Sequence, residues 1–195
     1  MPQALDHDPP AKQKLTPLGI LVLATGLLTL YFAWHETSDL WGDGLEHWWQ
    51  MVRGQSAHVR QLVIYLDNGP NNNGTRTQFL KRMVAFADET GLTIRLVYYP
   101  PYHSKYNPIE RCWSSLEKKW NGVLLTSVKV ALQCASRMLW RKRHPTVRWL
   151  PGEYPDGVCV PRGAAKRALE ERLERSKKLP KYDITIRPAS DRQVN

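Results

Sequence analysis

The uncharged run over residues 18–34, LGILVLATGLLTLYFAW, is almost long enough to cross a bilayer as one helix. Ala24-Thr25-Gly26 interrupts it at the middle and leaves two β-rich halves of strand length. Two buried strands joined by a tight turn, near 17–24 and 27–33, account for both the apolarity and the break. The preceding segment, MPQALDHDPPAKQK, has no apolar core and does not read as a signal peptide. The expectation is a folded domain with no membrane span.

The rest of the chain continues in alternation. Thr37 or Ser38 caps a helix reaching about Val52, with Leu40, Trp41, Leu45, Trp48, Trp49 and Val52 on its apolar side. Gly42 and Gly44 weaken that helix, each by about 1 kcal/mol relative to Ala. The run QLVIYL over 61–66 is continuously apolar and rich in β-formers, as expected of a central strand covered on both faces. It ends in Asp67-Asn68-Gly69-Pro70. Phe79, Leu80, Met83, Phe86 and Ala87 then recur at helical steps over 75–90, and Gly91 stands where a C′ glycine closes a helix. A strand over 92–98 follows.

Beyond a proline-rich loop the pattern predicts helices over 107–120 and 127–142, an irregular stretch over 144–163, and a charged helix over 164–178. In that last helix Glu171–Arg175 and Glu174–Lys178 stand at i,i+4 spacing. Strands alternating with helices define the fold class as α/β, a mixed sheet flanked by helices. The chain divides into a polar N-terminal segment (1–14), a core (15–125), and C-terminal helices with a basic tail (126–195).

Composition bounds the function. A chain of 195 residues suits one domain, and 42% hydrophobic residues exclude a disordered protein. The net charge of +10 points to a polyanionic partner such as DNA. Cys112, Cys134 and Cys159 are widely spaced and form no Cys-x-x-Cys pair, so a disulfide framework or structural zinc site is not expected, and a reducing cytoplasm fits.

Two carboxylates stand out. Asp67 follows the end of an apolar strand, at the edge where open α/β sheets place ligands; Asp-Asn-Gly is also ordinary turn chemistry. Glu110 follows Asn107-Pro108, so it reads equally as the N3 acid of a helix-capping arrangement. Taken together, both acids lie at element ends that meet at one sheet edge, and hard cations such as Mg²⁺ take a few carboxylate oxygens. His103, Lys105, Arg111, Lys118 and Lys119 surround Glu110 in sequence and offer contacts to DNA phosphates, or simply a solvated basic face. Tyr98, Tyr99, Tyr102 and Tyr106 could stack on bases or pack against Trp113 and the prolines. His35 and Glu36 are strand neighbours pointing to opposite faces, which argues against a metal pair.

The motifs YLDNGP (65–70) and YYPPYHSKYNPIER (98–111), with HET at 35–37, the Trp48-Trp49 pair and WNG at 120–122, resemble the DDE transposases of the Rhodopirellula-type (ISAzo-type) insertion-sequence family. The Asn-Pro-Ile-Glu element is also similar to that of the wider mariner-like group. The resemblance implies an RNase H-like core that cuts transposon-end DNA and joins it to target DNA, using three acids with two Mg²⁺ (or Mn²⁺) ions. It assigns Asp67 as the second acid and Glu110 as the third, both metal ligands, with no protein nucleophile. It further implies that the family's first Asp lies on a strand preceding this sequence. The expectation is then a truncated, inactive domain lacking its first strand, which could assemble as an oligomer or with a full-length transposase. Two alternatives are a non-catalytic DNA-binding or transposase-pairing protein, and a nuclease in which Asp8 substitutes for the first acid.

Overall fold

The computed structural model describes residues 15–100, 103, 106–121 and 127–192. The apolar run at the start is an antiparallel hairpin, β1 (Thr16–Val22) and β2 (Leu27–Ala33), with Thr16 opposite Ala33 and Val22 opposite Leu27. Gly26, at φ 71°, takes the left-handed conformation that closes the turn. Among the described residues no helix is long and apolar enough to cross a membrane.

Helix α1 (Ser38–Val52) begins at Thr37, whose hydroxyl accepts from the Leu40 N–H at 3.3 Å. β3 (Gln61–Leu66), α2 (Thr77–Thr90) and β4 (Thr93–Tyr98) make a βαβ unit in which β3 and β4 pair in parallel. Gly91 caps α2 with φ 69°. Helices α3 (Ile109–Trp120) and α4 (Val128–Ser136) follow.

The C-terminal part departs from the sequence expectation. The helix predicted over 127–142 stops at Ser136, and Trp140 and Arg143 bridge a turn with Arg141 and Lys142 at positive φ. The stretch expected to be irregular contains β5 (Thr146–Trp149), which pairs in parallel with β2. The charged helix is only α5 (Ala164–Glu170); the chain then forms β6 (Glu174–Arg175) and β7 (Asp183–Ile186). Arg175 pairs with Glu170, five residues back, and Arg187 with Glu174 across the β6–β7 pair.

The strands form two mixed sheets, β1-β2-β5 and β3-β4-β7-β6, flanked by helices. One core runs beneath both: Leu18, Tyr31 and Ala33 of the first sheet and Leu66, Ile94 and Leu96 of the second share a cluster with α1 and α2. A second core lies only on the opposite face of the first sheet, where Leu28, Leu30 and Phe32 meet Cys112 and Leu116 of α3 and Ala135 of α4. This corrects the expectation that QLVIYL is covered on both faces. Leu66 is buried, but Val63 and Tyr65 are 42% and 48% exposed, since α3 and α4 pack on the other sheet.

The two glycines of α1 are close-packing points, not mere weak spots. A Cβ at Gly44 would collide with Leu18, and one at Gly42 would lie 2.6 Å from the Arg82 guanidinium. Arg82 reaches from α2 to Asp39 (3.1 Å), Asp43 (2.5 Å) and Glu46 (2.9 Å), an i, i+4, i+7 stripe along α1. Tyr154 and Gln78 donate to the same carboxylates. Replacing Arg82 with Ala removes the only guanidinium among three like charges whose side chains are largely covered. The expected loss is about 1–3 kcal/mol, lower than for a fully buried pair because the stripe reaches solvent. It is measured as a lowered Tm that added salt partly restores.

Candidate active site

The two sheets leave a cleft between them of about 1250 Å³, walled by β1, β3 and α3. Both carboxylates singled out from the sequence line it: Asp67 just past the end of β3, and Glu110 in the first turn of α3.

Asp67 is held by the loop that follows it. Its Oδ1 accepts from the Asn72 Nδ2 at 2.9 Å and from the Gly69 N–H at 3.3 Å. Asn68 adopts φ 65°, a conformation Asn tolerates better than most residues. The loop is pinned to the first sheet, because Asn71 donates to the Glu36 carbonyl and accepts from the Ser38 hydroxyl through its own, both at 2.8 Å. Asn73 ties the loop to itself through the Gly69 carbonyl and the Thr75 N–H and hydroxyl. Asn72 is 1% exposed, and its Oδ1 has no partner among the described residues. Sequence reasoning missed Asn72; the signal was the Asn-Asn-Asn run within the loop.

Glu110 is positioned by its helix. A Cβ at Gly19 would lie 2.6 Å from Trp113 Cη2 and 2.8 Å from Ile109 Cδ1, so α3 rests directly on β1 where β1 has no side chain. The helix starts at Ile109 rather than Asn107, which corrects the capping reading. Buried Asn107 does serve the helix start, through its Oδ1 to the Ile109 N–H (3.4 Å) and its carbonyl to the Glu110 N–H (3.1 Å). Glu110, however, sits at the second helical position and its carboxylate does not return to Asn107. Partial burial raises its pKa above the ordinary carboxylate range, and the charges of Asp67 and then Glu117 add to the effect.

The other candidates are placed as follows. His103 is exposed and stacks on Tyr106, ring centroids 5.8 Å apart. Arg111, Lys118 and Lys119 are exposed on α3 and do not line the cleft; Lys105 and Tyr102 lie outside the described residues, as does Asp8. Tyr98 is buried, and Tyr65 and Tyr99 face each other at 6.2 Å. Trp113 packs on β1 at Gly19. His35, Glu36 and Asp156 also border the cleft. Among the described residues no group of three or more His, Cys, Asp or Glu side chains is arranged to hold a metal ion.

These features define an α/β domain with two acids, from a strand end and a helix start, converging on one cleft. The sequence profile of the Rhodopirellula transposase DDE domain matches residues 1–188, and the chain belongs to that family. Neither curated proteins nor solved structures gave a match. Domains of this family generally use divalent metals.

The charge coupling at Glu110 has a measurable consequence. A carboxyl whose pKa is raised by folding favours the native state while protonated, and that contribution is lost as pH rises through the raised value. Ionised Glu110 therefore costs stability at neutral pH. Glu110→Gln should melt up to about 2 °C above wild type at pH 7, a small figure because the group is solvent-screened. The difference should shrink below the raised Glu110 pKa, as thermal melts across that range would record.

Proposed function

We propose that this chain is the catalytic part of a DDE transposase with an RNase H-like core, and that Asp67 and Glu110 are the second and third acids of its site. The observation that carries this reading is the convergence of these two carboxylates, coupled by charge, on a single cleft. The donor set suits Mg²⁺ or Mn²⁺: two carboxylates, with the Glu110 side chain hydrogen-bonded to nothing among the described residues. When bound there, such cations would activate the attacking oxygen and stabilise the leaving oxygen of a DNA phosphodiester.

The chain's own residues supply position and electrostatics. Asn72 and the Gly69 N–H hold the Asp67 carboxylate in one orientation, and the seat of α3 on Gly19 fixes the height of Glu110. The two acids supply the negative charge that would hold such a cation. No side chain acts as nucleophile; water attacks first and a DNA 3′-hydroxyl second. His103, Lys105, Arg111, Lys118 and Lys119 are proposed to meet the phosphates of transposon-end or target DNA, giving a steep salt dependence of binding. Because no group of three or more His, Cys, Asp or Glu side chains among the described residues is arranged to hold a metal ion, the chain on its own is proposed to bind metal and DNA without efficient turnover.

The test is metal-dependent stabilisation together with DNA cutting. Mn²⁺ at about ten times its Kd should stabilise wild type by roughly 1.4 kcal/mol, and should not stabilise Asp67→Asn or Glu110→Gln. Any Mg²⁺-dependent cutting of transposon-end DNA should vanish in Asp67→Ala and in Glu110→Ala. A metal response and cutting indifferent to both substitutions would place the chemistry elsewhere.

A further inference from the structure

The outward face of the second sheet carries aromatic surface that the cation reading does not use. On β3, Leu62, Ile64 and Leu66 point into the core shared with α1 and α2, so Val63 and Tyr65 point away from it. On β4, Ile94, Leu96 and Tyr98 are the inward residues, which leaves Val97 and then Tyr99 on the outward face. Tyr65 is 48% exposed and Tyr99 is half-buried, and their ring centroids lie 6.2 Å apart. The Tyr99 N–H donates to the Leu66 carbonyl at 2.9 Å, which holds the pair against the end of β3.

This pair stands beside the acids. Asp67 comes two residues after Tyr65, at most about 7 Å further along the chain. Helix α3 lies on the face of the first sheet that points away from α1 and α2, so Glu110 approaches the cleft from the same side as the tyrosines. Tyr65, Asp67 and Glu110 all line that cleft. A phosphate held at the two acids therefore has Tyr65 within reach of its neighbouring nucleotides, since successive bases of a strand stand about 3.4 Å apart.

The chemistry of the face narrows what it fits. Its charges are already matched: Arg95 pairs with Asp183 and Arg187 with Glu174, both at 2.8 Å. What remains for a ligand is the aliphatic and aromatic surface of Val63, Tyr65, Val97 and Tyr99. Four side chains fall far short of the roughly 20–30 residues a side of a stable protein interface. They do match the face of one planar ring. The bases of an intact duplex are stacked on one another and offer no such face, whereas an unpaired or displaced base does.

We propose that Tyr65 and Tyr99 form a stacking platform for a single unpaired nucleobase adjoining the phosphate held at Asp67 and Glu110. The platform deepens the DNA reading given above and rests on it. A base released from its pair loses its stacking in the duplex and regains it on the tyrosines, which favours strand separation at the site and draws the adjoining phosphate toward the acids. Every base has a π-face, so the platform adds affinity for unpaired DNA without selecting a sequence.

The test uses the full chain and a set of single-stranded oligonucleotides of about ten nucleotides, each with one 5-iodouracil at a different position, a base that crosslinks under long-wavelength ultraviolet light to an aromatic ring stacked on it. Mass spectrometry should place a crosslink on Tyr65 or Tyr99. Tyr65→Leu should lose the Tyr65 crosslink and bind the single strand about tenfold more weakly, with binding of a fully paired duplex of the same sequence unchanged. Tyr65→Phe, which keeps the ring, should retain both the crosslink and the affinity. Tyr65 is exposed, so the leucine variant should fold, and an unchanged Tm checks this. Crosslinks confined to other aromatic residues, or equal weakening of single-strand and duplex binding by Tyr65→Leu, would overturn the platform and leave the DNA reading in place. Wild type that binds neither form of DNA would sink the DNA reading, and the platform with it.

Discussion

The apolar layer of α1 and α2 is what makes two separate sheets one body. The first sheet meets it through Leu18, Tyr31 and Ala33, and the second through Leu66, Ile94 and Leu96. No backbone ladder connects the sheets among the described residues, so their spacing depends on side-chain packing against these helices and on the Arg82 clamp between them. Close packing transmits small displacements, and the glycines of α1 show how little slack exists there.

That arrangement determines the geometry of the acids. Asp67 belongs to the second sheet and Glu110 to a helix seated on the first, so their separation is set by how the sheets lie on the shared layer. The Asn71 bonds to Glu36 and Ser38 cross from one side to the other and stitch the site directly. Asp67 is oriented by buried Asn72, whereas Glu110 is placed by a rigid helix resting on Gly19. One acid is held by polar contacts and the other by packing.

Much of this was legible in the residues. The Ala24-Thr25-Gly26 break in an apolar run predicts the hairpin, and Gly26 supplies the positive φ at which this run folds back. The three- and four-residue steps of α2 and its closing Gly91 predict that helix almost to the residue. The short strands β5, β6 and β7 were not legible. Each is four residues or fewer, and each gains its strand conformation from the neighbour it pairs with, β2 for one and β4 for another. The charged helix beyond Glu170 failed for the same reason: i,i+4 pairs worth a few tenths of a kcal/mol yield to sheet pairing and to ion pairs across the fold.

The sequence by itself determined the kinds of element, the ends at which Asp67 and Glu110 stand, and a basic chain of the transposase DDE domain family. Those follow from local chemistry: periodicity, turn residues, and motifs read along the backbone. Only the tertiary structure decided that the acids share one cleft, that Asn72 orients one of them, and that β1 and β3 line that cleft by edges which pair with no other strand among the described residues. These are relations between segments far apart in the chain, and they are set by which face of each element finds an apolar partner. A run such as QLVIYL carries the capacity to be buried on both sides; packing left Val63 and Tyr65 exposed.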